Sequence, residues 1–459
     1  MAKHASRKSL LSKQQSSDKA RAQADQARAV DGAKMQADKA ERAQADQARA
    51  VDGAKMQANK AERTQADDAE ALWSRHNAAW RETAQISSQW QDAADTDPLL
   101  LKCKTKGDWW GVLERLKITL IVGREYEHLL IGLSNAGKPA ITFMPMPHPS
   151  GIAVDHKRGV VHVASTRNPN QIYDLMAIED CPQRLDVKGV TFHDRPLVPV
   201  RSTFFPGCLY IHDLAMLNDG LHANAVGQNA IIKVDANGSY RRVWWPRCIE
   251  TDDGAAFGRN YIQLNSIAAG PSIRQSFFSA SSTKISTRRP GHKNYPVDKR
   301  GVIFSGATRE PIAWGLTRPH SARLTSYGGY EMIFVDNSGY GEFGFIEDGK
   351  FHCLTKLPGW TRGLTFCRDV AFVGTSRVLP KFSQYAPGLD VNASICAVHA
   401  IAIESGKVLG SMIWPFGNQI FAVDWLPTVQ SAGFPFSASG HGRDNRTLFY
   451  SFSTSIHKG

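Results

Sequence analysis

The sequence predicts a mainly β protein, a six-bladed β-propeller preceded by a helical, duplicated N-terminal arm. Beyond about residue 115 the chain consists of short apolar runs between Gly, Pro, Asn and Ser turn signals, a pattern typical of all-β folds. A five-residue motif recurs six times in this region at intervals of 42 to 62 residues, close to the spacing of propeller blades. Ahead of it, residues 21–41 return almost unchanged as residues 42–62.

The N-terminal arm comprises residues 1–20, which we expect to be disordered, and an Ala-rich helical segment at 21–68. The two copies in this segment differ only where Asn59 replaces Asp38. Their 21-residue period equals three heptads, which is compatible with a left-handed coiled coil. The candidate seam is mostly alanine, and its larger apolar residues are Val30, Met35, Val51 and Met56. Two alternatives stay open: self-association through the arm, or a solvated helix.

A helical docking segment is predicted at 69–114. Trp73, Trp80 and Trp90 are separated by sums of three and four residues, which places them on one face of a helix. We expect this face to lie against the main domain, whose first strand pattern is "KITLIVG" from Lys117.

The propeller domain is predicted at 115–459, with one blade for each copy of the motif. The motif is small or polar at its second position and apolar at its third and fifth. The copies are "SGIAV" from Ser150, "HDLAM" from His212, "NSIAA" from Asn265, "HSARL" from His320, "RGLTF" from Arg362 and "FAVDW" from Phe421. We expect each copy to form the innermost strand of its blade, where small side chains fit beside the axis.

Five of the six copies open on a polar residue, and innermost strands begin at the same end of the channel. We therefore predict a ligand site at the channel mouth, because loops and strand ends of different blades converge there. The predicted ligand-binding residues are Ser150, His212, Asp213, Asn265, His320 and Arg362. The alternative is that these groups cap strand ends and satisfy buried backbone groups.

Composition narrows the function classes. The 459 residues carry a formal charge of +12, but the excess is spread along the chain, and no nucleic-acid-binding module appears. No nucleophile elbow, P-loop or dinucleotide fingerprint is present. Seven scattered cysteines without a C-x-x-C pair predict reduced, mostly buried thiols. Without a signal-peptide core or an apolar run of membrane-spanning length, we expect a cytoplasmic protein with no membrane partner.

Six stretches together resemble an uncharacterised family of bacterial conserved proteins with a predicted propeller domain of unknown function. They are "IHDLA" (211–215), "QLNSIA" (263–268), "PHSARL" (319–324), "DNSGYGEFG" (336–344), "LPGWTRGLTF" (357–366) and "QIFAV" (419–423). The resemblance runs from about residue 70 to the end and implies a bacterial propeller without an assigned activity. In the last stretch the family's acidic pair is replaced by Gln419 and Ala422. If that pair held a cation or closed the ring of blades, the role is lost here.

A looser similarity is to the six-bladed gluconolactonase and paraoxonase-like propellers, whose catalytic calcium is held by carboxylates and Asn at inner strand ends. Here those places offer His212, His320, Asn265 and Arg362 beside Asp213. This is a poor set for calcium, which prefers six to eight oxygen ligands. Two histidines and an aspartate suit zinc or iron better, but they show no ligand spacing. We therefore predict no metal ligands and leave the cofactor open.

Two function hypotheses remain. In the first, a non-enzymatic binding or scaffold protein recognises a polar or anionic ligand or peptide at the channel mouth. Arg362 would supply positive charge, and His212 and His320 pH-sensitive contacts. In the second, the protein is a hydrolase or lyase for a small polar substrate, with a channel His as general base and a metal as an optional partner. The adjacency of His212 and Asp213 motivates it.

Overall fold

The computed structural model of the chain describes residues 71, 96–166, 170–178, 195–285 and 297–438. The chain divides into two compact units, Met1–Asp67 and Asp68–Gly459, and all described residues belong to the second. The predicted disordered terminus, duplicated helical arm and Trp73–Trp90 stripe lie outside the described residues and stay predictions.

Six antiparallel sheets, numbered here as blades 1 to 6, make up most of the described residues. The chain begins with strand β1 (Lys104–Gly107), helix α1 (Trp109–Leu116) and three strands of blade 1, β2 (Ile118–Arg124), β3 (Leu129–Asn135) and β4 (Pro139–Pro145). Blade 2 is β5 (Pro149–Asp155), β6 (Val160–Ser165), β7 (Asn170–Ala177) and β8 (Leu197–Phe205). Blade 3 is β9 (Ile211–Leu217), β10 (Gly220–Ala225), β11 (Ala230–Val234) and β12 (Tyr240–Trp244), followed by a small hairpin of β13 (Glu250–Thr251) and β14 (Gly254–Ala255).

The remaining blades repeat this order. Blade 4 is β15 (Leu264–Ala268), β16 (Phe277–Ala280), β17 (Gly301–Ser305) and β18 (Pro311–Leu316). Blade 5 is β19 (Ala322–Tyr327), β20 (Tyr330–Asn337), β21 (Glu342–Glu347) and β22 (Lys350–Lys356). Blade 6 is β23 (Trp360–Cys367), β24 (Val370–Ser376), β25 (Ala397–Ala402) and β26 (Val408–Ile413), and the last strands are β27 (Ala422–Pro427) and β28 (Phe436–Ser437). Short 3-10 turns occur at Pro98–Leu101, Val226–Gln228, Arg247–Ile249, Ile273–Gln275, Ser338–Tyr340 and Pro380–Tyr385.

The six motifs are confirmed as innermost strands of a six-bladed propeller. Strands β27, β5, β9, β15, β19 and β23 contact one another from blade to blade around the channel. Five motif copies lie within or directly at these strands, and "HSARL" starts two residues before β19. Gly151 illustrates the crowding expected at the second position, because a Cβ atom there would lie 2.6 Å from the backbone of Asp213 in the next blade.

The ring closes between the two ends of the domain. Strand β27 forms the inner edge of blade 1 by pairing antiparallel with β2, so that Val423 lies opposite Val122. Strand β28 pairs with the outer strand β4 of the same blade. Because blade 1 takes strands from both ends of the domain, its hydrogen bonds hold the ring together.

We had expected a helical segment over 69–114, but the described part of this segment also contains strand β1. Strand β1 adds to the outer edge of blade 6, with Lys104 opposite Ile413, and satisfies backbone groups of β26 that would otherwise be an open edge. Its four residues are all exposed, so the sequence carries no apolar alternation that would predict a strand. Helix α1 follows, and no helical segment in the described part of the chain is long and apolar enough to cross a membrane.

The cysteines differ from the prediction in their burial. Six of the seven lie among the described residues, and all six are free thiols. Cys367 and Cys396 are buried, whereas Cys208 and Cys353 are exposed. The expectation of mostly buried thiols is therefore wrong, because several cysteines lie in loops and at outer strands instead of between blades.

Candidate functional site at the channel mouth

A cavity of about 740 Å³ opens at the end of the channel where the innermost strands begin. Its walls are the segments that lead into these strands and the loops after the second strand of several blades, and every blade contributes. Of the predicted site residues, His212 and Arg362 line this cavity. The narrow channel beyond is lined by His212, Asp213, Asn265, His320 and Phe421, and it has no space for a water molecule.

Ser150 and Asn265 are buried and join neighbouring blades. The Ser150 hydroxyl donates to the carbonyl of Ile211 at 2.8 Å, which links blades 2 and 3. The Asn265 amide donates to the carbonyl of Pro319 at 2.8 Å, which links blades 4 and 5. Both side chains satisfy backbone groups at strand ends, which is the role that the sequence analysis gave as the alternative to ligand binding.

Asp213 pairs with Arg323 and not with its neighbour His212. Arg323 donates from Nη1 to Asp213 Oδ2 at 2.7 Å and from Nη2 to Oδ1 at 3.0 Å. The backbone N–H of Ile267 also donates to Oδ2, at 2.9 Å. Burial opposes the charge of Arg323, but Asp213, together with Asp424 and Asp336, outweighs burial and raises the pKa of this guanidinium. Successive strand residues face opposite sides, so Asp213 is not placed to orient His212 as the enzyme hypothesis supposed.

His212 and His320 stack against each other and close the channel. Their ring centroids are 5.6 Å apart with an interplanar angle of 28°, and each ring also meets the Phe421 ring edge-on at 5.3 Å. Burial, followed by the positive charge of Arg362, holds the pKa of His320 well below its ordinary value. This direction favours the neutral imidazole of His320, and the pH-sensitive contact expected of His212 and His320 stays a prediction.

Arg362 lies at the floor of the cavity. Its guanidinium is 3.6 Å from the centroid of the Phe421 ring. The Gln419 amide forms hydrogen bonds with two neighbours when its oxygen faces Arg362. In this orientation the oxygen accepts from Arg362 Nη1, and the nitrogen donates to Glu125 Oε2 at 3.1 Å. Arg362 Nε has no hydrogen-bond partner among the described residues. Burial lowers the pKa of Arg362, but a guanidinium stays protonated in proteins.

A second ring of residues, none of them predicted from the sequence, lines the cavity. The positions two residues before five of the six motifs all line the cavity, and they are Tyr210, Gln263, Arg318, Trp360 and Gln419. Each of these residues begins an innermost strand or lies one to four residues before one, so the register of the motif already contained the signal. The first motif residue, by contrast, mostly lines the closed channel.

Arg318 is held in place by rings and an amide. Its guanidinium lies 4.4 Å from the ring centroid of Tyr385 and 5.5 Å from that of Trp360. Its Nη2 donates to Gln263 Oε1 at 2.8 Å. Cation–π contacts of this kind keep an arginine charged and oriented at a cavity wall.

The cavity lining is strongly positive. Among the described residues it contains four guanidinium groups and a single carboxylate, which belong to Arg259, Arg318, Arg362, Arg377 and Glu125. Both oxygens of Glu125 are engaged, since Oε1 accepts from Thr166 Oγ1 and Oε2 from Gln419. Within the described ranges, no group of three or more His, Cys, Asp or Glu side chains is arranged to hold a metal ion.

Comparison with known proteins gives weak structural similarities. No protein with curated annotation matches this chain. The chain is similar to a nidogen/laminin complex structure, with 10% identity over 67% of this chain and 98% of the other and a TM-score of 0.45. It is also similar to a gluconolactonase from Xanthomonas campestris, with 13% identity over 59% of this chain and 77% of the other and a TM-score of 0.36. A third similarity is to virginiamycin B lyase from Staphylococcus aureus, with 12% identity over 68% of this chain and 99% of the other and a TM-score of 0.35. At this level they carry no functional argument.

The family described as "Domain of unknown function (DUF4915)" matches residues 107–434. The match starts at the last residue of β1 and ends just before β28, so it spans the described propeller almost completely. The resemblance to an uncharacterised propeller family is therefore confirmed, although over a shorter range than expected, and this chain belongs to the DUF4915 family.

Proposed function

We propose that this propeller is a non-enzymatic binding protein that recognises an anionic small molecule, or an anionic group of a peptide, in the cavity at the channel mouth. The observation that carries the proposal is Arg362, a guanidinium at the cavity floor that forms no ion pair with a described carboxylate. Its polar partner is the neutral amide of Gln419. The positive charge is thus oriented without a direct ion pair.

Electrostatics support an anionic ligand. A charge removed from water is costly unless a partner compensates it. Glu125, whose two oxygens accept from Thr166 and Gln419, acts on the charge of Arg362 from nearby without forming an ion pair with it. An anion in the cavity would complete the compensation. A guanidinium also presents several N–H groups in one plane, which match a carboxylate or phosphate.

The size and shape of the site support a small ligand. The volume of about 740 Å³ lies within the range of pockets that bind small organic molecules, roughly 300–1,000 Å³. The channel beneath has no space for water, so a ligand would enter and leave through the mouth. The histidines that close the channel pack against Phe421 and stabilise the floor.

The proposal is tested by titrating the full-length protein with benzoate and phenyl phosphate, with phenol as the uncharged control, in a calorimeter. We expect both anions to bind and phenol to bind at least about tenfold more weakly, because a charged hydrogen bond contributes roughly a factor of ten or more. Arg362→Gln should lower the affinity for both anions by a similar factor.

Gln419 provides a matched pair of variants. Gln419→Glu places a carboxylate beside Arg362. This carboxylate would form an ion pair with Arg362 in place of the ligand, so we expect anion affinity to fall about tenfold or more. Gln419→Met removes the hydrogen bonds without adding charge, and affinity should stay within about threefold. If no anion binds, or if Arg362→Gln and Gln419→Glu leave the affinities unchanged, the proposed function is wrong.

A further inference from the structure

The positive charges of the mouth cavity lie on one side only, and its carboxylate, Glu125, belongs to blade 1 on the other side. Its arginines come from three consecutive blades: Arg259 precedes β15 of blade 4, Arg318 precedes β19 of blade 5, and Arg362 and Arg377 belong to blade 6. Among the described residues, the lining from blades 1 to 3 contains no Lys or Arg. The tyrosines on that half are Tyr126 of blade 1 and Tyr210 of blade 3, and both are partly exposed.

Blade 6 presents two guanidinium groups to the cavity. Arg362 is fixed at the floor by Phe421 and Gln419. Arg377 follows strand β24, and its backbone N–H donates to the carbonyl of Asn418 at 2.8 Å, which fixes the chain beside the cavity. The side chain of Arg377 forms no ion pair with a described carboxylate. Two guanidinium groups on one blade, neither in an ion pair with a described carboxylate, favour a ligand group that carries two negative charges.

We propose that the ligand is a phosphate monoester with a planar, uncharged part. Its phosphate would lie against Arg362 and Arg377, and its planar part against the half of the cavity that carries Tyr126 and Tyr210. A phosphate monoester carries close to two charges at neutral pH and three acceptor oxygens, whereas one carboxylate would compensate one guanidinium. Tyrosine side chains offer flat apolar faces with a polar tip. This inference rests on the proposed function and specifies its ligand class.

Three small probes separate the parts of the inference. Phenyl phosphate has the ring and two charges, methyl phenyl phosphate has the ring and one charge, and inorganic phosphate has the charges without the ring. In titrations of the full-length protein we expect phenyl phosphate to bind about tenfold or more tightly than either of the others, since each lacks one set of contacts.

Arg377→Gln tests the second charge. We expect it to weaken phenyl phosphate binding about tenfold and to leave methyl phenyl phosphate within about twofold, because the monoanion needs only Arg362. Arg241→Gln, on the outer strand β12 of blade 3, makes the same change in net charge away from the cavity mouth. It should change neither affinity.

The outcomes distinguish this inference from the proposed function. If methyl phenyl phosphate binds as tightly as phenyl phosphate and both depend on Arg362, the ligand does not need two negative charges. The proposed binding of an anion is then still supported. If inorganic phosphate binds as tightly as phenyl phosphate, the cavity does not recognise a planar group of the ligand, and that part of the inference is wrong. If Arg377→Gln weakens both organic probes equally, the assignment of the second charge to this residue is overturned. If no anion binds, both proposals fail.

Discussion

Asp336 is a buried carboxyl group that holds the backbone at the start of blade 5. Its Oδ1 accepts from the N–H groups of His320 at 2.6 Å and Ser321 at 2.9 Å, and from the Ser338 hydroxyl at 3.2 Å. Its Oδ2 has no hydrogen-bond partner among the described residues. Burial outweighs these hydrogen bonds and raises the pKa of Asp336 from 3.8 to about 7. The group that positions His320 is therefore itself sensitive to pH.

This raised pKa predicts a stability change with a definite sign. Between about pH 4 and 7 the folded chain keeps a proton on Asp336 that the unfolded chain has released, so the free energy of unfolding falls as the pH rises. The contribution is about 1.4 kcal/mol per pH unit within this window. Asp336→Asn cannot ionise, and its stability relative to the wild type should rise by up to about 4 kcal/mol from pH 4 to pH 7.

Urea unfolding of both proteins from pH 4 to pH 8 measures this difference. Other titrating groups are shared by the two proteins and cancel when the free energies are subtracted. A difference that does not change with pH would contradict the raised pKa. Asparagine keeps the acceptor at Oδ1, so a general loss of structure at pH 4 is not expected from this substitution.

At the scale of single elements, helix α1 joins the N-terminal part of the domain to blade 6. Its first residue, Trp109, is completely buried and meets the Phe372 ring edge-on at 6.1 Å. The approach to the sheet is close, because a Cβ atom at Gly410 would lie 2.5 Å from the Trp109 backbone nitrogen. The helix ends at Lys117 in the left-handed region, with φ of 57°, where the N–H group of Lys117 donates back to Leu113 and Glu114.

The two adjacent tryptophans of α1 make a matched pair for mutagenesis. Trp109→Ala empties a fully buried site and should lower the free energy of unfolding by about 3–5 kcal/mol. Trp110 is only partly buried, so Trp110→Ala should cost about 1–2 kcal/mol. Denaturant titrations followed by circular dichroism give both values. Equal losses would mean that α1 is not held to the propeller by Trp109.

At the scale of the whole molecule, the duplicated segment 21–68 adds a prediction about assembly. If the 21-residue repeat forms a coiled coil, the full-length chain should self-associate weakly, with a sedimentation coefficient that rises with concentration. The double variant Val30→Lys, Val51→Lys changes the same position of both copies and should abolish the rise, because a charge in the seam is not accommodated.

The control for this experiment is the double variant Gln36→Lys, Gln57→Lys, which adds the same charge at a polar position of the same repeat. It should sediment as the wild type does. A wild-type chain that sediments independently of concentration would leave the solvated helix as the better description of the arm.

Much of the propeller could be predicted from the sequence, because each innermost strand carries its own local signal. Apolar third and fifth positions, a small or polar second position and nearby turn residues recur in every blade, and these are properties of a few consecutive residues. Strand β1 could not be predicted in this way. Its four exposed residues become a strand only because β26 offers an open edge.

The candidate site was predicted less completely. Arg362 was correctly placed at the mouth, but Asp213 was not seen to pair with Arg323, which lies 110 residues further along the chain. The contact of Gln419 with both Arg362 and Glu125 joins distant parts of the sequence. No spacing rule relates such residues, since ring closure between β27 and β2 brings them together.

The sequence by itself determined the number of blades and the position of each innermost strand, since alternating apolarity and turn chemistry act within a few residues. Only the tertiary structure decided which polar side chains close the channel, which pair with each other and which line the mouth. Their partners come from different blades, and the strength of each pair depends on how far the closed ring excludes water. Arg362 forms no ion pair at the cavity floor because the fold places an amide, and not a carboxylate, beside its guanidinium.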